Sequence, residues 1–236
     1  MKRLYFALVS AVAILFATDA QAQLSVGVGY NHEAMSEVYV GVRDTDRETE
    51  GLDGFYMEAT YDFNFLKANW GMLAIQPGVR FSFAGDSESD EEYGYRMKTT
   101  FNETYLDIPV LVKYSYPMGS VKLSAFAGPI ASIGLTSSKK FSLKGEGVDS
   151  MSKVNMYTTV SKAEAVPAMD VDTDSLTTDY GRFDLKLGVG VGASLNDKFN
   201  VKIGYNIGLL NRYTGALNYR LHTGMFYAGV GVGISF

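Results

Sequence analysis

The sequence predicts an eight-stranded antiparallel transmembrane β-barrel with short periplasmic turns and long extracellular loops. Three observations predict it: an N-terminus built for export, apolar residues at every second position in eight segments, and connections that alternate strictly between short and long. Each element follows from its residues.

Lys2 and Arg3 precede an apolar run over 4–17, which ends near the small residues Ala20 and Ala22. That order is the order of a secretory signal peptide, cleaved after Ala22. A membrane anchor is the competing reading, but the run is shorter than the roughly 20 residues a spanning helix needs, and Asp19 follows it. The expected division is a signal peptide over 1–22 and one barrel domain over 23–236, in a Gram-negative cell envelope. With no cysteine in the chain, a disulfide framework, a thiolate zinc site and a lipobox anchor are excluded. Stability must come from packing and backbone pairing.

The chain holds 25 glycines and 13% aromatic residues, a composition that suits strands better than helices. Its net charge of −5 lacks the basic stripe that nucleic-acid binding requires, so no nucleic-acid partner is expected.

Period-two alternation is clearest near the C-terminus. Phe183, Leu185, Leu187, Val189 and Val191 alternate with Asp184, Lys186, Gly188, Gly190 and Gly192, and the pattern restarts at Phe199 after Asn196-Asp197-Lys198. Two such runs joined by a tight turn make a hairpin. Further alternating segments lie at 24–31, 55–65, 72–83, 105–116, 121–135 and 226–236, with the first able to extend toward Val42. Each is near the 9 to 11 residues that cross a bilayer when tilted. Connections 66–69, 117–120 and 196–198 are short, whereas 32–54, 84–104, 136–182 and 210–224 are long, which places both termini in the periplasm. Most acidic residues fall in the long connections, and the expected lipid face carries no charge.

The other face of each strand is the expected lumen. It holds Glu58, Asp62, Asp107 and Asp184 together with Arg80, Lys113, Lys122, Lys186 and Lys202. A barrel of eight strands is only wide enough for its own side chains, so these groups are expected to pair as a buried ionic network that closes the barrel. Charges cluster on strands two to five, while strands one and six to eight turn glycines inward, leaving room for long side chains from the opposite wall. Aromatic girdles are expected at both ends, with Phe63, Phe65, Trp70, Tyr114, Tyr116, Phe199 and Phe236 at one and Tyr30, Phe55, Phe83, Tyr213 and Phe226 at the other. Pro77, Pro109 and Pro129 fall within strands, where local bulges are expected.

The stretch Tyr105-Leu-Asp-Ile-Pro-Val-Leu-Val-Lys-Tyr114, followed by Phe126-Ala-Gly-Pro129, resembles the PorT-like outer-membrane β-barrel family. The likeness extends over most of 23–236, including the glycine-rich sixth strand after Asp179-Tyr-Gly181 and the terminal Gly-Val-Gly-Ile-Ser-Phe236. It accounts for Pro109 and Pro129, and it implies a link to protein secretion for the founding member that no residue here singles out. Terminal Phe236 is similar to the signal by which such proteins engage the barrel-assembly machinery.

Chemistry-bearing groups are few. His32 and His222 are placed at the outer ends of the first and last strands, neighbours after closure, with Glu33, Ser36 and Thr223 nearby; a rim base for lipid modification would use such a set. Asp170, Asp172 and Asp174 have the spacing of half a calcium loop, but Ser175 replaces the required glycine and Gly181 stands where the bidentate glutamate belongs. Asn102-Glu103-Thr104 matches a glycosylation sequon by chance. The expectation is a non-enzymatic protein without a cofactor or metal site, partnered by outer-membrane lipid, by the assembly machinery during biogenesis, and by envelope or secretion proteins.

Overall fold

In the computed structural model, residues 23–39, 47–92, 94–145, 147–158, 180–215 and 219–235 are described. The expected cleavage-site residues Ala20 and Ala22, the acidic triplet Asp170, Asp172 and Asp174, and Phe236 lie outside them. Nine strands form among the described residues: β1 (Gln23–Tyr39), β2 (Arg47–Ala68), β3 (Gly71–Glu92), β4 (Tyr95–Met118), β5 (Val121–Gly145), β6 (Val148–Asn155), β7 (Phe183–Leu195), β8 (Phe199–Gly208) and β9 (Tyr219–Ser235). Every pairing is antiparallel. Eight of the strands close a ring in the order β1-β2-β3-β4-β5-β7-β8-β9, with β9 returning to β1 through Gln23↔Ser235. The short strand β6 pairs outside the ring, on β5 alone.

Both ends of the described chain and three short turns share one end of the barrel, called here the near end. In the β7–β8 turn, Asn196 and Asp197 both take left-handed backbone angles (φ 52° and 58°), and the Lys198 amide donates to the Leu195 carbonyl at 3.0 Å. Such mirror-type turns match the twist of the flanking strands.

The far end differs from expectation. The segment 84–104 is not a loop: β3 and β4 continue as a paired ladder to Glu92↔Tyr95. Gly94 (φ +79°) and Gly147 (φ +84°) supply the left-handed positions of the β3–β4 and β5–β6 turns, which a side chain would strain. Much of 32–54 and 136–158 is strand as well. At about 3.3 Å per residue, a 24-residue strand such as β4 is far longer than a membrane requires, so the strands project beyond it.

The prolines do not create bulges. The β2–β3 ladder steps from Thr60↔Gly78 to Phe63↔Ile75 past Pro77, β3–β4 from Arg80↔Asp107 to Pro77↔Val110 past Pro109, and β4–β5 from Pro109↔Ile130 to Val112↔Ala127 past Pro129. Register is kept each time. A residue without an N–H cannot bond the preceding strand, so the ladder skips a pair there rather than shifting. The actual register shifts lie at Asn64/Leu66 and Thr104/Tyr105, where Phe65 and Leu135 are the extra residues.

The outward face is an apolar band, with Val28, Val112, Val191 and Val230 more than half exposed. Trp70 stacks on Tyr114 (5.9 Å) at the near edge and Phe55 on Phe83 (4.8 Å) at the far edge. Tyr213 is no girdle residue: it packs on an internal cluster, because its strand partner is Tyr180 rather than the outer wall.

Two apolar clusters fill the interior. Tyr56, Leu111, Phe126, Ile130, Met225 and Tyr227 lie within the band. Beyond its far edge, Met35, Leu52, Ala84, Phe101, Val154, Met156, Tyr180 and Leu221 form a second core between the projecting strands.

Candidate functional site

The lumen within the band is built around Arg80, which is 2% exposed. Its Nε and Nη2 donate to Glu58 Oε2 at 3.2 and 3.0 Å. Its guanidinium also lies over the rings of Tyr56 (4.8 Å) and Tyr227 (4.1 Å). Desolvated cation–ring contacts of this kind contribute about 2 kcal/mol. Lys202, reaching from β8, forms an ion pair with the other Glu58 oxygen. Toward the near end, Asp62 accepts from Lys113 at 2.7 Å and from Gln76 at 2.5 Å, beside a polar cavity of 70 Å³ that opens there.

Not every charge finds the partner its strand position suggests. Lys122 pairs at 2.7 Å with Asp197, a turn residue absent from the expected network. Asp184 is held by the Thr223 hydroxyl at 3.1 Å and the Leu210 amide at 3.3 Å. Lys186 stands 3.7 Å from Asp107 and 4.6 Å above the Tyr105 ring.

The glycine-lined wall receives rings rather than charged chains. A Cβ added at Gly29 would come within 2.6 Å of Tyr56, and one at Gly190 within 2.5 Å of Phe126. At Gly204 and Gly229 it would strike Tyr227 and Tyr56. The wall is a mould for three aromatic side chains, and Phe126 and Tyr227 come from strands whose inward face was read as polar.

Beyond the band lies a second buried set that the sequence reading assigned to loops: Glu33, Glu103 and Arg212. Arg212 Nη2 is 3.4 Å from Glu103 Oε1, and its Nη1 donates to the Tyr105 hydroxyl at 2.5 Å. The Tyr105 hydroxyl in turn donates to Glu103. Burial works against the Arg212 charge, but Glu103 and Glu33 more than offset it and hold the guanidinium above its usual value. Glu33 is fully buried, and neither carboxylate oxygen has a hydrogen-bond partner. Burial raises it to about 7, with Lys186 acting the other way. One signal was available in the sequence: Asn31 and Glu33 continue the inward phase of Gly27 and Gly29.

The histidines do not meet. His32 pairs across the sheet with Phe226 and His222 with Ser36, four residues further along β1. His32 Nδ1 lies 2.7 Å from Asp53 Oδ1 on the outer rim, and Tyr30 donates to the same carboxylate. Asp53 is thereby held below the usual carboxylate range, first by Tyr30 and then by His32. Ser36 Oγ is 3.4 Å from Thr49 Oγ1. Thr223 faces Asp184 instead. Among the described residues, no three His, Asp or Glu side chains are placed to hold a metal ion, and no helix is long and apolar enough to cross a membrane.

A family model for the outer membrane protein beta-barrel domain matches residues 17–213. Among solved structures, the chain is similar to Ail, the attachment invasion locus protein of Yersinia pestis, at 13% identity over 91% of this chain and 99% of that one (TM-score 0.39). It is also similar to the outer membrane enzyme PagL (8% identity, 86% and 99%, TM-score 0.43). A third is OprG of Pseudomonas aeruginosa (10% identity, 91% and 97%, TM-score 0.38). Likenesses at these scores carry no assignment of activity. A search of curated proteins finds no match. The ring of eight antiparallel strands and the family match over most of the length place the chain in the outer membrane protein beta-barrel domain family, and so in the outer membrane.

Proposed function

We propose that this protein is a closed, non-enzymatic barrel that anchors its projecting strands, two lobes formed by β2-β1-β9 and by β3-β4-β5-β6, in the outer membrane for surface interaction or envelope integrity. In this reading the near end and both termini face the periplasm, and the lobes face the outside. Residues 1–22 are removed on export, Phe236 engages the assembly machinery, and no cofactor or nucleic acid takes part. The carrying observation is the lumen itself: Arg80, sandwiched between Tyr56 and Tyr227 and bound to Glu58, fills the middle of a barrel of eight strands. A solute path would need that plug to leave, breaking a buried pair at a cost of about 3–5 kcal/mol.

Planar-bilayer recording of the purified protein tests the reading. No stable stepwise conductance is expected; reproducible single-channel steps would overturn it. A place among PorT-like secretion components is a finer reading, supported by the Tyr105–Tyr114 stretch, and export of secreted cargo by a deletion strain tests it. Lipid A mass spectra of the same strain are expected to match the parent, since His32 and His222 stand apart along the β1–β9 ladder and the Thr223 hydroxyl donates to Asp184 rather than to either.

A further inference from the structure

The ring is complete only within the apolar band. The β2–β3 ladder ends at Asp53↔Gly85, yet β2 continues to Arg47 on β1 and β3 continues to Glu92 on β4. On the other side, the β5–β7 ladder ends at Ile133↔Phe183 and the β8–β9 ladder at Ile207↔Gly224. The projecting strands therefore form two lobes, β2-β1-β9 and β3-β4-β5-β6, that meet along two seams.

One seam is stitched. Between β6 and β9, the Tyr180 amide donates to Met156 at 2.9 Å, Gly181 donates to Arg212, and Arg212 donates to Leu221 at 2.9 Å. The other seam, between β2 and β3, has no ladder pair beyond Asp53↔Gly85 among the described residues. A cavity of 270 Å³ lies there, with Glu50 and Leu52 on one side, Asp86 and Glu88 on the other, and Phe101 and Phe141 as its floor. Lys139 reaches Glu50 at 3.9 Å.

The sequence itself keeps this seam apart. Continuing the register past Asp53↔Gly85 would set Glu50 opposite Glu88, and like charges directly opposite destabilise a ladder. Among the described residues this leaves the β3 edge at Asp86–Glu91 without a strand partner on the β2 side; Asp86 and Glu88 line the cavity, Asp90 continues their phase along β3, and all three are exposed. Unpaired edges recruit strands, and this one is selective by charge. The chain's own segment 159–179 carries Glu164, Asp170, Asp172, Asp174 and Asp179 against Lys162, a charge of the wrong sign to complement it.

We propose that the β2–β3 seam binds an extended segment of a partner protein with lysine or arginine at every second position, added as a strand to the free edge of β3. The main chain of the segment would supply the ladder bonds, and its basic side chains would meet Asp86, Glu88 and Asp90, the division of labour seen in strand addition. The proposal rests on the reading of the lobes as an interaction surface. A barrel that conducts but binds the peptide below would reject the closed-barrel reading and leave the seam; a closed barrel without that selectivity would reject the seam alone.

The test uses the full chain in detergent micelles and three labelled peptides, read by fluorescence anisotropy. One alternates lysine with valine and threonine, one has the same composition with the lysines in a block, and one is the alternating peptide N-methylated at every second amide. The alternating peptide is expected to bind at least ten-fold more tightly than either control, and to lose at least ten-fold against the D86N/E88Q/D90N variant. Equal binding of all three peptides, binding unchanged by the substitutions, or no binding would each overturn the proposal. The peptide arms need no variant, so a variant that fails to fold leaves the test decisive.

Discussion

Within the band and beyond it, the same strands obey opposite rules. On β4, Ile108, Val110 and Val112 face outward and are exposed, while Asp107 and Lys113 point into the lumen; further along, Phe101 is buried inside and Asn102 looks out. On β1, Val26 and Val28 face outward, but Met35 is inward and 1% exposed. The period of two never changes. What changes is the medium: lipid rewards apolar side chains outside, and water rewards them inside. Alternation identifies a strand, and the surroundings decide which face is greasy.

Closure differs in the same way. Lipid tolerates no unpaired backbone, so the ring inside the band is complete. Water can satisfy an edge, and the β2–β3 seam is left open.

The largest expected effect lies within the band. Arg80→Leu leaves Glu58 with Lys202 alone and removes both ring contacts, so unfolding by guanidinium in micelles should register a loss of about 3–5 kcal/mol. A loss under 1 kcal/mol would mean the ion pair is not buried as described. Gly229→Val comes next, since a new Cβ meets Tyr56 and the Val28 carbonyl (2.7 Å); overpacking of this kind costs about 1–3 kcal/mol. Stability equal to the parent would show that the wall yields.

Beyond the band the effects are smaller and depend on pH. Glu33 holds its proton to about pH 7 in the fold, against an ordinary value of 4.5. Its contribution is therefore complete below the ordinary value, declines as pH rises between the two, and is lost above the folded one. A stability that falls across that window is expected, and Glu33→Gln should flatten the fall. A slope that survives the substitution would assign the titration elsewhere. The smallest effect belongs to the exposed rim: Asp53→Asn is expected to leave unfolding unchanged, because exposed pairs contribute little.

How much was legible follows from the same comparison. The eight ring strands and the short turns could be read because apolar alternation is strong where lipid fixes one face. The far halves of β1 to β5 could not, because the apolar residues change sides at Asn31 to Met35 and at Phe101 to Tyr105, so the pattern looks like loop. Glu33, Glu103 and Arg212 were hidden for that reason. Phe126 and Tyr227 could not be singled out as lumen fillers, because a hydrophobic side chain on the polar face has no signature of its own; only the glycines opposite hint at rings. The prolines misled because a missing donor can be absorbed by skipping a pair.

Site-directed spin labelling tests the inversion most directly, and the chain has no cysteine to compete with introduced ones. Single cysteines replacing Val28, Val110, Ser87 and Thr100 would carry nitroxides in lipid vesicles. The account predicts oxygen-dominated relaxation at positions 28 and 110 and nickel-chelate-dominated relaxation at 87 and 100. The same reagent dominating at all four positions would contradict it.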